Sequence, residues 1–281
     1  MTDRFYNIRR FFILFVGLFI LVTSVYAERI VTLAPAITEM VFTLDRGKEI
    51  VGNTTYCNYP EAAKKIRRVG GLMDINIEIL VSLKPTVIIL YPEAYDNIKI
   101  MEKKSTLVVI KHTSVNDIFD GIISISKVLG TESQGRETVT SIKKELESIQ
   151  KKSSARKNKK IKTLIVIGRN PDNLSNMYII GRKDFLNQLL EVAGGVNAYS
   201  GDIDYPSISV ESIIAMNPDV IFELSAFNEK IEDEKVYNLW NKYHYITAVK
   251  NKKILIVKDS FWVIPGPRIA QIAVEMSNFL K

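Results

Sequence analysis

The sequence predicts an α/β protein of two lobes with mainly parallel sheets, joined by one long helix. Three observations predict it. Short β-rich apolar runs alternate with amphipathic helical ones, the pattern of parallel strands connected by helices. One stretch is stated twice: Ile77-Glu78-Ile79-Leu80-Val81-Ser82-Leu83-Lys84-Pro85 runs into Thr86-Val87-Ile88-Ile89-Leu90, and Val210-Glu211-Ser212-Ile213-Ile214-Ala215-Met216-Asn217-Pro218 runs into Asp219-Val220-Ile221-Phe222-Glu223. Between the copies lies one amphipathic run from Thr131 to Ser153, with Val139, Ile142, Leu146 and Ile149 three or four residues apart.

Each copy of the repeat reads as helix, stop and buried strand. A glutamate in the first turn suits the positive end of the helix dipole. Proline then ends the helix and favours extended geometry in the residue before it. The copies are too far apart for a solenoid, so two lobes of related build each carry the unit once. The chain divides into a leader (1–27), a first lobe (28–130), a connecting helix with a basic linker (131–160) and a second lobe (161–281).

Taken in order, Arg29–Leu33 is a strand, Ala34-Pro35-Ala36 a turn and Ile37–Leu44 a helix with one apolar face. Glu49–Gly52 is a second strand, Asn53–Pro60 an aromatic-bearing loop and Glu61–Arg68 a basic helical segment. After the first repeat and the strand Thr106–Ile110, Ser114 and Asp117 resemble a capping box before the helix Ile118–Leu129. In the second lobe, Lys162–Gly168 is a strand, Lys183–Val192 a helix ended by Gly194-Gly195, Glu234–Lys242 a helix, Lys253–Val257 a strand and Ile269–Leu280 a helix.

The 281-residue chain carries a formal charge of +7. Arg4, Arg9 and Arg10 precede an apolar run from Phe11 to Val22, and the small residues around Ala27 fit cleavage before Glu28. Loss of that leader lowers the charge to about +5 and leaves an exported, periplasmic protein; an uncleaved anchor is the rival reading. Cys57 is the only cysteine, so no internal disulfide forms and an enzymatic metal–sulfur cluster has too few thiolates. The basic run Ser153–Lys160 lacks interleaved aromatics and reads as solvated rather than as a nucleic-acid patch.

Residues for catalysis are scarce. No phosphate loop, nucleophile elbow or metal-binding histidine pair is present, and His112 and His244 are the only histidines. The aromatics say more. Tyr56, Tyr91, Tyr205, Phe261 and Trp262 flank the ends of strand-like runs, where open α/β sheets bind ligands. Polar handles on apolar rings suit a large, flat, partly apolar ligand. An anionic ligand would need Arg169, Arg182 or Arg268. Glu78 and Glu211 place one carboxylate on each lobe, suited to a two-fold symmetric partner.

The runs Arg29–Glu39, Tyr56–Pro60, Ile77–Leu80 with Lys84-Pro85, and Gly266-Pro267-Arg268-Ile269 resemble the substrate-binding proteins of ABC importers for iron complexes and vitamin B12. The resemblance spans nearly the whole chain after the leader. It implies a helical-backbone periplasmic binding protein with its ligand between the lobes. By position it puts Ala36, Tyr56, Tyr91, Tyr205 and Asp259 at a corrinoid, and Glu78 and Glu211 on the permease dimer of the inner membrane. Leu72, Tyr91 and Tyr205 stand where that family carries tryptophans, so haem or a ferric siderophore stays open beside cobalamin. The implied protein is a monomer with no cofactor of its own, the chelate being its cargo.

Overall fold

A computed structural model describes residues 28–72, 74–155, 160–225 and 232–281. The expected leader and much of the basic linker lie outside these residues. In the first lobe, β1 (Ile30–Thr32), β2 (Ile50–Asn53), β3 (Val87–Leu90) and β4 (Thr106–Val109) form a sheet in the order β2-β1-β3-β4. Every pairing is parallel, so the residues that follow the strands open on one edge. β1 and β3 are buried throughout, as central strands covered on both faces must be.

Helix α1 (Pro35–Thr43) begins directly after β1, so Ala36 belongs to a helix and not to a turn. Pro35 sits in its first turn, where the missing N–H removes no bond. α2 (Ile77–Ser82) is the helix of the first repeat, capped by the Asn76 side chain. α3 (Tyr95–Ile98) is a single turn, and α4 (Val115–Val128) carries the complete Ser114/Asp117 capping box. The segment expected as a helix over 61–68 is instead a 3-10 stretch, Glu61–Lys65. Arg68 is drawn away from it, bridging to Asn53 and donating to the carbonyls of Thr54 (2.7 Å) and Cys57 (2.9 Å).

α5 (Glu132–Ser154) is the expected connecting helix, roughly 35 Å long at about 1.5 Å per residue. The second lobe follows as β5 (Ile161–Gly168), β6 (Met177–Ile179), α6 (Phe185–Ala193), β7 (Gly195–Asn197), β8 (Ser207–Ile208), α7 (Val210–Met216), β9 (Val220–Leu224), α8 (Asp233–Asn241), α9 (Thr247–Lys250), β10 (Ile254–Val257) and α10 (Ile269–Phe279). Its sheet runs β10-β9-β5-β6-β8, with β7 beside the start of β5. β5, β9 and β10 are parallel, whereas β6 pairs antiparallel with both β5 and β8. The Asn170–Asn173 turn reverses the chain, and Asn170 N–H closes it on the Ser175 carbonyl at 3.0 Å.

The two repeat copies share more than expected. Asn76 and Ser209 cap α2 and α7 from the same position. Lys84 (φ 45°) and Asn217 (φ 43°), each before a proline, are left-handed rather than extended. Each N–H closes its helix end, on Val81 O at 3.1 Å and Ile213 O at 2.8 Å.

α5 buries Val139, Ile142, Leu146 and Ile149 in a core cluster that draws on both lobes. Near its start it meets α4 so closely that a Cβ on Gly135 would stand 2.3 Å from Ser126 Oγ. Near its end Ser153 Oγ donates to the Val192 carbonyl at 2.8 Å. The helix is thus packed into both lobes, not strung between them.

Candidate ligand-binding cleft

The in-register pairing of β3 with β4 brings the residues after them together. Tyr91 follows β3 and His112 lies just beyond β4; their rings are 4.1 Å apart between centroids. Tyr91 is only 6% exposed, and its hydroxyl is buried without a hydrogen-bond partner. Burial, with the charges of Glu39, Glu93 and Cys57 adding, pushes that hydroxyl far above the usual tyrosine range, so it stays a neutral phenol. His112 Nε2 lies 3.4 Å from Glu93 Oε1.

A second cluster belongs to the other lobe. Tyr205, 47% exposed, donates from its hydroxyl to Asp184 Oδ2 at 2.7 Å. The same carboxylate caps α6 by accepting from Leu186 N–H at 2.7 Å. Burial pushes the Asp184 carboxyl up, while those two bonds and the nearby His112 pull it back. Burial and then Asp184 push the Tyr205 hydroxyl up, with Asp204 and Glu93 adding. Val115, three residues beyond His112, and Gln188, four beyond Asp184, are hydrogen-bonded to each other, so the two clusters lie on facing sides of the lobe junction.

Two further contacts close the cleft's seams. Val115 N–H, at the start of α4, donates to Gln188 Oε1 of α6 at 2.9 Å. Arg268 holds Glu39 with Nε at 2.9 Å and Nη2 at 2.6 Å, and lies against the rings of Tyr59 and Phe261. Burial pushes the Glu39 carboxyl up, against the bonds and charge of Arg268.

The residues expected at the ligand divide into two groups. Tyr56, 63% exposed on a loop fixed by Arg68, and Tyr205 are open to solvent, whereas Tyr91 is buried against His112. Asp259 is exposed at the carboxyl end of β10. Ala36, Phe261 and Trp262 are buried instead, each 2% exposed or less. Ala36 faces Gly266 across the lobe junction, close enough that any side chain there would press on it. Trp262 packs its ring on Phe222 and donates Nε1–H to Glu275 of α10 at 2.7 Å, so the ring contact expected of it has no open face. Glu78 and Glu211 are exposed in the first turns of their helices, and the Ser209 hydroxyl holds the Glu211 carboxyl below its usual range.

Sequence reasoning did not single out Glu93, Asp184 or Asp204. Asp184 alone had a readable signal, an aspartate one residue before an apolar helical run. Arg169, a candidate for an anionic ligand, is turned inward onto Glu223 at 2.6 Å. Among the described residues no group of three His, Cys, Asp or Glu side chains is placed to hold a metal ion. Cys57 is buried, and burial pushes its thiol up. What the cleft offers is ring faces, hydroxyls and carboxylates, equipment for holding a molecule.

Known proteins share this architecture. The chain is 28% identical over 258 residues to the uncharacterized ABC transporter substrate-binding lipoprotein YvrC of Bacillus subtilis, covering 89% of this chain and 79% of that one. It is 23% identical over 259 residues to the vitamin B12-binding protein of Vibrio cholerae, covering 91% and 90%. Its fold matches the solved periplasmic haem-binding protein HutB of Vibrio cholerae with a TM-score of 0.78 at 20% identity, over 90% and 99% of the two chains. A family model described as periplasmic binding protein matches residues 30–260, most of the chain, and the chain belongs to that family.

Proposed function

We propose that this protein captures a cobalamin-like corrinoid in the periplasm and delivers it to an inner-membrane ABC importer. It is a transport binding protein and not an enzyme. The observation that carries the choice of ligand is the distribution of charge at the cleft. Arg169 and Arg268 are engaged by Glu223 and Glu39, which leaves Arg182 as the remaining candidate for an anionic group. Glu93 lies beside His112 at 3.4 Å in the first lobe, and in the second Asp184 accepts from Tyr205 at 2.7 Å while Asp204 is 3.7 Å from Lys183. Carboxylates and phenol hydroxyls suit a ligand rimmed with neutral amide N–H donors, which is the periphery of a corrinoid, and repel carboxylate-bearing chelates. Tyr56 and Tyr205 supply exposed ring faces, and Asp259 a further acceptor.

A second reading has one observation in its favour. Tyr91 and His112 stand side by side, and both are axial ligand types for haem iron. The two are separated by titrating the leaderless protein with cyanocobalamin, cobinamide, haemin and a ferric siderophore, followed by visible spectroscopy and calorimetry. Saturable one-to-one binding of the corrinoids is the expected result. A Soret shift lost in Tyr91→Phe or His112→Ala moves the assignment to haem, and silence toward all four ligands refutes the function.

A further inference from the structure

We infer that Arg268 is the positioning residue that fixes the opening between the two lobes. It stands immediately before α10, and its three partners come from three separate segments of the chain. Glu39 lies on α1, which follows β1; Tyr59 lies in the loop after β2; Phe261 lies in the turn after β10. One guanidinium therefore joins loops of both lobes. The bond to Glu39 is two-pronged, at 2.9 Å and 2.6 Å, which sets the angle of approach as well as the distance. Tyr59 and Phe261 lie against the guanidinium at 4.1 Å and 4.9 Å and hold its plane. The Glu39 side chain is 3% exposed, so little water is available to replace Arg268 if the lobes part.

Two residues earlier, Gly266 makes the approach possible: a Cβ built there stands 3.3 Å from that of Ala36. Backbone meets helix directly at the point where Arg268 reaches across. Lobes attached only by α5 and the Val115–Gln188 bond could swing about that seam. Attachment at a further point, on ligand-side segments, stops the swing unless the desolvated ion pair breaks. Arg268 then sets the width at which the cleft meets its ligand, whichever chelate that is.

The test uses the leaderless protein with spin labels at Lys103→Cys and Lys250→Cys, one exposed site on each lobe; Cys57 is buried and stays unlabelled. Pulsed dipolar spectroscopy is expected to give one narrow interlobe distance in the parent, unchanged by cyanocobalamin or haemin. Arg268→Gln should widen that distribution by about twofold, while far-UV circular dichroism shows both lobes folded. Because this variant strands the buried Glu39 carboxylate, Glu39→Gln/Arg268→Gln provides the same test without the stranded charge, and it decides if the single variant fails to fold. Arg268→Lys should fall between, since an ammonium keeps the charge but loses the fork and the flat faces. An unchanged narrow distance in the double variant overturns the assignment. So does a parent whose distance is already broad.

Discussion

Replacing Glu223 with glutamine measures how firmly the second lobe holds the loop beyond β5. Glu223 lies on β9, and it and the Arg169 side chain are each about 5% exposed. Its Oε1 accepts from Arg169 Nε at 2.7 Å and Nη2 at 2.6 Å, and its Oε2 accepts from Trp240 Nε1–H. Arg169 Nη1 turns the other way, to the carbonyls of Asn170 at 2.8 Å, Pro171 at 3.4 Å and Asn173 at 3.5 Å, so the loop wraps the guanidinium. Glutamine keeps the size and one acceptor oxygen but leaves that cation buried without a counter-charge. Removing one member of a buried pair costs about 3–5 kcal/mol. In a chain of this size each kcal/mol lowers Tm by about 2–4 °C, so Glu223→Gln is expected to melt about 10 °C below the parent. Adding Arg169→Met removes the stranded charge and should recover about half of the loss, because the pair itself contributes less than breaking it costs. Urea unfolding followed by far-UV circular dichroism reads all four corners of the cycle. A single-variant loss below about 1 kcal/mol, or a double variant as unstable as the sum of the singles, refutes the reasoning.

Three other predictions concern the repeat and the cleft. Glu78→Lys with Glu211→Lys is expected to leave ligand affinity intact and abolish stimulation of the reconstituted permease's ATPase; undiminished stimulation removes those carboxylates from docking. Asn76→Ala and Ser209→Ala each should cost about 1 kcal/mol, with the larger loss at Asn76, whose capping bond is 2.9 Å against 3.4 Å for Ser209; thermal melts showing the reverse order contradict this. Asp184→Asn removes the titration but keeps only one of the two acceptor oxygens, so it loses either the cap or the Tyr205 bond by the same amount at every pH. Because burial raises the Asp184 pKa, the native state holds that proton to higher pH than the unfolded chain, and stability is lost as pH rises from the usual carboxylate range through the raised value. The stability of Asp184→Asn relative to the parent should therefore climb over that interval, and a difference that stays flat with pH rules the linkage out.

Much of the fold was legible because its signals are local. The capping box at Ser114, the glycine stop at Gly194 and the apolar stripe of α5 each lie within a few residues of the structure they specify. The antiparallel strand β6 was also readable in principle, since Met177 and Ile179 are buried on either side of exposed Tyr178. Three residues of alternation are too short a signal to separate from a loop. The segment over 61–68 failed for another reason: the partners that draw Arg68 off a helix are loop atoms fixed by tertiary structure, and helix propensity has no access to them.

The site divides along the same line. Tyr91 and Trp262 gave identical signals, an aromatic just past a β-rich run, yet Tyr91 packs against the partly exposed His112 at the strand ends and Trp262 packs under α10. Trp262 is claimed by α10, where Glu275 stands thirteen positions on to take its N–H. Tyr91 meets His112, and that meeting depends on register. Leu90 pairs with Val109, so the residues after β3 and β4 emerge side by side. Shift the register by one and every side chain of the strand changes face. The order β2-β1-β3-β4 that makes β3 and β4 neighbours is itself a tertiary choice. A lone histidine is uninformative in a sequence for that reason, and becomes a candidate only once the adjacent strand is known. Glu39 and Arg268, 229 residues apart, are the extreme case. Each sits in a motif that reads clearly by itself, and nothing in either motif states that the two carboxylate oxygens of one will meet the guanidinium of the other.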